Sequence, residues 1–445
     1  MQYHLFRNTH KYCGYLFSQL ADKTNCEIQN LNKQNLLHRD TKKKNMTTKK
    51  NIKVAIICPY PFDSAPGQRF RYEQYLSFLA QNGVVCDIYP FIDSKVNTIL
   101  YRKGHFLQKI TGLLKATLKR ISLLGKLRDY DYVWVYREAS LIGPPWFEWI
   151  VAKVLHKKML LDFDDAIWIP QTVSRNPLVA FIRWHKKTEN LCRWAYRISC
   201  GNDFLCAYAR QFNPNVVKLP TTIDTHNRHN RLKLHRTFIV NDDVNGTEVK
   251  DNNIGSHEAA AYPHNNNKGV AGSIVPKTVI GWTGTITTMD YLHPIYPIIA
   301  RLAEKYPLEL RIISNSPPPT DRWPFVRYVP WQKETEIEDL LAFDIGIMPL
   351  ATNDWERGKC GFKALQYMAL GIPAVVSPVG VNTEIICDSQ NGLLAANDEA
   401  WFAALERLIV LPTLRKRFGD EGRKTVEKYF SVQSQQEAYL ALFRS

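Results

Sequence analysis

Twice along this chain, short unbroken apolar runs alternate with helical stretches, and that repeat restricts the fold more than any other feature. "IKVAIICPYPF" (52–62), "VVCDIYPF" (84–91), "YDYVWVYRE" (130–138), "KMLLDFDDAIW" (158–168), "AYRISCGND" (195–203) and "NVVKLPTTID" (215–224) read as buried strands that end in loops. Helical stretches separate most of them. In "GQRFRYEQYLSFLAQNG" (67–83), read as one helix, Tyr72, Tyr75, Leu76 and Leu79 share a face. A continuous apolar run is the pattern of a strand covered on both sides, and strands joined through helices pair in parallel. The first series therefore predicts a doubly wound α/β domain over 52–224.

A second series opens with "KTVIGWTGT" (277–285) and continues through the strands "LELRIISN", "VRYVPW", "IGIMPL" and "PAVVS", with helices between them. It predicts a second doubly wound domain over 276–445, whose last helix packs back on the first. Residues 225–275 carry Asn, His, Asp and Gly with almost no apolar periodicity, which reads as a disordered polar insertion. Its histidines (His226, His229, His235, His257 and His264) are too irregularly spaced to read as a metal site. Residues 1–51 are polar and lysine-rich, a disordered extension by composition, and Met46 is the expected natural start. Two doubly wound sheets in one chain imply a cleft between them, with ligands beyond the carboxyl ends of the strands.

Bulk properties narrow the chemistry. The chain has 445 residues, 45% of them hydrophobic, and a formal charge of +16 that favours anionic partners. Much of that charge lies in the N-terminal extension and in one amphipathic segment, and no nucleic-acid-binding module is present, so nucleic acid is not an expected partner. The nine cysteines are scattered, odd in number and without a C-x-x-C spacing. That excludes a disulfide framework or a zinc site and fits the cytoplasm. No apolar run is long enough to span a bilayer.

Three loops of the second domain converge on anion binding. "GWTGTITT" (281–288) offers backbone N–H groups, Gly284 and the hydroxyls of Thr285, Thr287 and Thr288. "VPW" ends at Trp331. "NDWERGKCGFK" (353–363) brings Lys359 and Lys363 to a helix start that carries no acid. Free N–H groups, a helix dipole and two lysines make a diphosphate cradle. Gln366, one turn on, can bond sugar hydroxyls. In the first domain, Gly67 permits close backbone approach and Arg69 adds charge at a helix start. Asp164 and Asp165 of "DFDD" lie at a strand end, where a carboxylate accepts a proton or orients a hydroxyl nucleophile. The alternatives there are a divalent metal site, or loop caps and salt-bridge partners.

"LQKITGLLKATLKRISLLGKL" (107–127) is a separate signal. Leu107, Ile110, Leu113, Leu114, Leu118, Ile121 and Leu124 fill one helical face, and Lys109, Lys115, Lys119, Arg120 and Lys126 take the other, with no acid. That composition predicts a helix lying on an anionic membrane surface, its basic residues facing the lipid. The alternative buries the same leucines against the sheet.

These segments together resemble the glycosyltransferase family 4 (group 1) enzymes of the GT-B fold, in a bacterial cell-surface glycan branch. The resemblance is strongest in "GKCGFKALQYMALGIPAVVSPVGVNTEII…NGLLA" and extends to "FDDAIW", "IGWTGT" and "DIGIMPL". It implies a retaining transfer of a sugar from a nucleotide diphosphate sugar to a glycan or lipid-linked acceptor, in surface polysaccharide or lipopolysaccharide synthesis. It implies no cofactor and no essential metal, and a place on the inner face of the cytoplasmic membrane. The donor set it implies is Gly67, Arg69, Gly284, Thr285, Trp331, Lys359, Lys363, Gln366 and Glu384, with Lys363, Asp164, Asp165 and Glu356 in the chemistry. The family's donor motif has two glutamates separated by seven residues. Here Gly358 and Gln366 stand at those positions, so Glu356 or Asp354 is expected to replace the first acid. An epimerase on the same fold, or a donor-binding scaffold without turnover, are the rival readings.

Overall fold

The computed structural model describes residues 51–100, 104–170, 184, 186–230, 277–319 and 323–444. The expectations for Met46, for nearly all of the 1–51 extension and for His235, His257 and His264 lie outside them.

Two six-stranded parallel sheets form, one in each half of the chain. The first contains β1 (Ile52–Cys58), β2 (Val84–Pro90), β3 (Tyr132–Tyr136), β4 (Lys158–Phe163), β5 (Arg197–Cys200) and β6 (Val216–Lys218), in the order β2-β1-β3-β4-β5-β6. The second contains β7 (Thr278–Gly284), β8 (Leu308–Ser314), β9 (Val326–Pro330), β10 (Ile345–Met348), β11 (Ala374–Val376) and β12 (Leu393–Leu394), in the order β12-β11-β10-β7-β8-β9. Each half is thus a doubly wound α/β domain, as the alternating runs predict. The apolar runs explain the central strands. Val54 through Cys58 are wholly buried on both faces, as are Val133, Trp134 and Val135 of β3.

Strand order locates the functional edge. In the first sheet the winding reverses between β1 and β3, paired Val54 to Tyr132 through Ile57 to Val135. In the second it reverses between β7 and β10, paired at Ile280 and Ile345. Connections leave in opposite directions at such a point and open a crevice beyond the carboxyl ends of the two strands.

The domains are joined at the end of the chain. The Val432–Ala441 helix lies on the first domain, with Tyr439 stacked on Tyr75 at 3.7 Å. Phe443 sits edge-on to Tyr132, with the rings 5.5 Å apart.

Several local expectations change. The 67–83 helix is broken into Pro66–Arg71, a 3₁₀ turn at Glu73–Tyr75 and Leu76–Gln81, although Tyr72, Tyr75 and Leu79 still form its buried face. The polar insertion is expected to begin at 225, but residues 225–228 form a turn. Asp224 caps it by accepting from the N–H groups of His226 and Asn227, and Thr225 and His229 are buried. The Phe106–Lys126 helix forms, but its inward face is Ala116, Arg120 and Leu123. Arg120 was expected to face lipid and is 2% exposed. Its guanidinium donates to the carbonyls of Ala139, Tyr89 and Cys58 at 2.8, 2.8 and 2.9 Å. Lys109 is half-buried on the packed side, while Lys115, Lys119 and Lys126 are exposed. The seven described cysteines form no disulfide with one another.

Candidate active site

The carboxyl ends of β3 and β4 carry a buried ionic cluster. Arg137 follows β3 directly, with φ at 60°. Its Nε donates to Asp164 Oδ1 at 2.8 Å and its Nη2 to Asp165 Oδ2 at 2.5 Å. The Tyr136 hydroxyl donates to Asp164 at 2.9 Å. Burial pushes the Asp164 carboxyl above the usual carboxylate range, and Arg137 offsets only part of this. Burial works the same way on Asp165, but Lys359 and Arg137 together outweigh it and hold that carboxyl below its usual range. Gly67 closes over the cluster, where a Cβ would lie 2.4 Å from the Tyr136 hydroxyl. Asp162 takes no part: it is sealed beneath with Arg71 and Ser199.

The second domain faces this cluster through the Asp354–Arg357 and Phe362–Ala369 helices. Asn353 caps the first by accepting from the Glu356 N–H, and Gly361, at φ 67°, makes the turn into the second. Lys359 reaches across the cleft to Asp165 at 3.3 Å. The Cys360 thiol donates to the Asp164 carbonyl at 3.1 Å, and Asn202 donates to the carbonyl of Lys359 at 2.9 Å. Lys363 sits in the first turn of its helix, 5.7 Å from the centroid of the Trp282 ring. Among the described residues it has no hydrogen-bond or ion-pair partner. Burial, with Lys359 beside it, pushes its ammonium pKa down to about 8.

Glu356 is 2% exposed. One carboxylate oxygen accepts from the Tyr291 hydroxyl, and the other is buried without a partner. Burial raises its pKa, with Tyr291, Lys359 and Lys363 working against the rise. Gln366, 1% exposed, likewise has a buried and unpartnered side-chain N–H₂ group. A buried polar atom without a partner is costly, and two beside a partnerless lysine mark where a polar ligand belongs.

The structure thus brings Asp164, Asp165, Glu356, Lys359, Lys363 and Gln366 to one cleft. Gly284 ends β7 against the Trp282 ring that Lys363 faces, and Thr285 follows it. Thr285 caps the following turn with Thr288 in reciprocal hydrogen bonds. Three predicted residues stand elsewhere. Trp331 donates to Glu336 at 3.2 Å, and Glu336 pairs with Arg228 at 2.6 Å. Arg69 lies within the field of Arg228 and Glu336 and pairs with Asp63 at 3.9 Å, while its buried Nε has no hydrogen-bond partner. Glu384 is exposed and paired with Lys218 of the first domain at 3.2 Å. Sequence reasoning missed Tyr136, Arg137 and Tyr291. The only signal for Arg137 was its place directly after a strand at the switch point. Among the described residues no group of His, Cys, Asp or Glu could hold a metal ion.

The fold is the GT-B fold of known glycosyltransferases. Residues 277–410 match the family model Glycosyl transferases group 1. No curated protein sequence matches the chain. Among solved structures, sucrose-phosphate synthase from Thermosynechococcus elongatus is similar with a TM-score of 0.59 and 13% identity, over 88% of this chain and 98% of that one. A glycosyltransferase from Rickettsia africae gives a TM-score of 0.57 and 14% identity, over 89% and 98%. The Anabaena protein HepE in complex with UDP-glucose gives 0.55 and 12%, over 88% and 99%.

Proposed function

We propose that the protein is a retaining glycosyltransferase that moves a sugar from a nucleotide diphosphate sugar to a glycan or lipid-linked acceptor of a cell-surface polysaccharide or lipopolysaccharide. The observation that carries this is Lys363, a partnerless lysine in the first turn of a helix at the topological switch point. Lysine, helix N–H groups and Lys359 form the cradle of a diphosphate. The UDP-glucose complex of the similar HepE fold supports a nucleotide sugar as the ligand.

Transfer breaks the bond from the anomeric carbon to the phosphate oxygen, and the electron pair leaves with the diphosphate. Lys359 and Lys363 stabilise the charge that builds there, which lowers the transition state more than the ground state. The free oxygen of Glu356 accepts from a sugar hydroxyl, in place of the acid absent at Gly358, and Gln366 bonds the ribose. The acceptor oxygen attacks from the same face. Its proton passes to the leaving phosphate oxygen or to the Asp164–Asp165 pair. That pair also orients the acceptor. No step calls for a metal or a cofactor.

The test is to incubate the protein with UDP-, GDP- and dTDP-sugars, with and without lipid-linked acceptors. Acceptor-dependent release of a nucleoside diphosphate, with the donor's anomeric configuration kept in the product, is the expected result. Binding without turnover for every pair would favour the scaffold reading instead.

A further inference from the structure

The Phe106–Lys126 helix packs the wrong way round for a soluble protein. Its inward face holds an arginine, Arg120, hydrogen-bonded to three strand-end carbonyls. Its outward face holds Leu107, Ile110, Leu114, Leu118 and Ile121, which are 77, 40, 60, 64 and 52% exposed. These positions are spaced i, i+3, i+7, i+11 and i+14, so they form one stripe along the helix. Phe106, 73% exposed, adds to it at the amino end. Lys115, Lys119 and Lys126 line one flank, all exposed, and the 21-residue helix contains no acid. Contiguous apolar surface of this kind marks an interaction site.

We propose that this stripe is a docking surface for an anionic lipid bilayer. The charge pattern selects that occupant. In a dimer through the same face, Lys115, Lys119 and Lys126 of both copies would meet with no acid on either helix to pair them. Lipid phosphates supply the missing anions, and acyl chains cover the leucines. No helix among the described residues is long and apolar enough to cross a membrane, so the contact is peripheral.

Arg120 fixes what the docked surface presents. The three carbonyls it binds lie at the carboxyl ends of β1 and β2 and just beyond β3, the strand-end edge that also carries Arg137 and Asp164. Gly112 seats on Val96 of the preceding helix, too close for a side chain, which adds a second fixed contact. The bilayer is therefore held at the cleft edge of the first domain. That this edge receives a lipid-linked acceptor rests on the transferase reading; the docking itself does not.

The experiment is flotation of the full chain with phosphatidylcholine vesicles, with and without phosphatidylglycerol, in the absence of donor and acceptor. The protein should float with the anionic vesicles and be released by high salt. Leu114→Glu/Leu118→Glu should abolish flotation. Lys115→Glu/Lys119→Glu/Lys126→Glu should weaken it at least about a hundredfold, from about 1 kcal/mol per charge near an anionic surface. All five positions are exposed, so both variants should melt as wild type does. Wild type that stays soluble with anionic vesicles at low salt overturns the proposal. So does a wild-type dimer that Leu114→Glu/Leu118→Glu splits, if neither form binds vesicles.

Discussion

Gly358 lies against Ala166 across the cleft, so close that a Cβ on the glycine would stand 2.7 Å from the Ala166 side chain and 2.9 Å from its backbone nitrogen. The first glutamate of the family's donor motif would fall at this position. The "DFDDA" loop of the first domain occupies the space that glutamate would need, and the buried carboxylate comes instead from Glu356, two residues earlier. Cys360 and Asn202 hold the same approach through the carbonyls of Asp164 and Lys359.

Restoring the motif should therefore do harm. Gly358→Glu is expected to lower turnover at least tenfold while the isolated domains stay folded, because the side chain pushes the domains apart. Glu356→Gln, which keeps the shape and removes the charge, should lower turnover by a similar factor without altering thermal stability. Transfer assays with melting curves on both variants check this. Activity gained in Gly358→Glu would contradict the account.

Arg120 should matter for folding rather than for charge. Burial pushes its pKa down to about 10, so it remains charged at neutral pH. Arg120→Met strips a donor from three carbonyls, and a loss on the order of 3 kcal/mol is expected in urea unfolding. Lys119→Met, one residue earlier and exposed, should change stability by less than about 0.5 kcal/mol.

His229 should set the acid limit of stability. Both ring nitrogens are buried without partners. Burial pushes its pKa down to about 3, with Arg228, Arg423 and Arg69 adding to the shift. The unfolded histidine titrates near its ordinary 6.5. Its contribution is whole above that pH and is lost as pH falls from 6.5 toward 3, at about 1.4 kcal/mol per unit. His229→Leu should fold and lack this one-proton component in a pH series of unfolding curves. An unchanged acid slope would show that His229 protonates freely in the folded state.

Not every feature of the molecule was equally legible in the sequence. The central strands were, since runs such as Val54–Cys58 suit only a strand covered on both faces. The grouping of Lys359, Lys363 and Gln366 was visible because one helix start carries it locally. The orientation of the Phe106–Lys126 helix was only half legible. A helical wheel separates two faces but does not say which is turned inward, and three strand-end carbonyls decided for Arg120. Tyr291 gave no local signal and Arg137 only its place after β3, because their contacts come from strands and loops far apart in the chain. The pairing of Glu384 was not legible for the same reason: Lys218 lies in the other domain.

We propose that Lys363 awaits a diphosphate, and titration of nucleoside diphosphates against pH decides whether it does. In the free protein its pKa is lowered from the ordinary 10.5 to about 8 by burial and by Lys359. A bound diphosphate favours the charged form, so binding takes up a proton above pH 8. Calorimetry with UDP, GDP and dTDP should find at least one that binds at pH 7. Its affinity should fall by up to about tenfold per pH unit above 8. Lys363→Met should weaken binding at pH 7 by roughly a hundredfold, about 3 kcal/mol, and flatten that slope. Equal affinity in wild type and Lys363→Met at pH 7, or no binding of any of the three, would contradict the account.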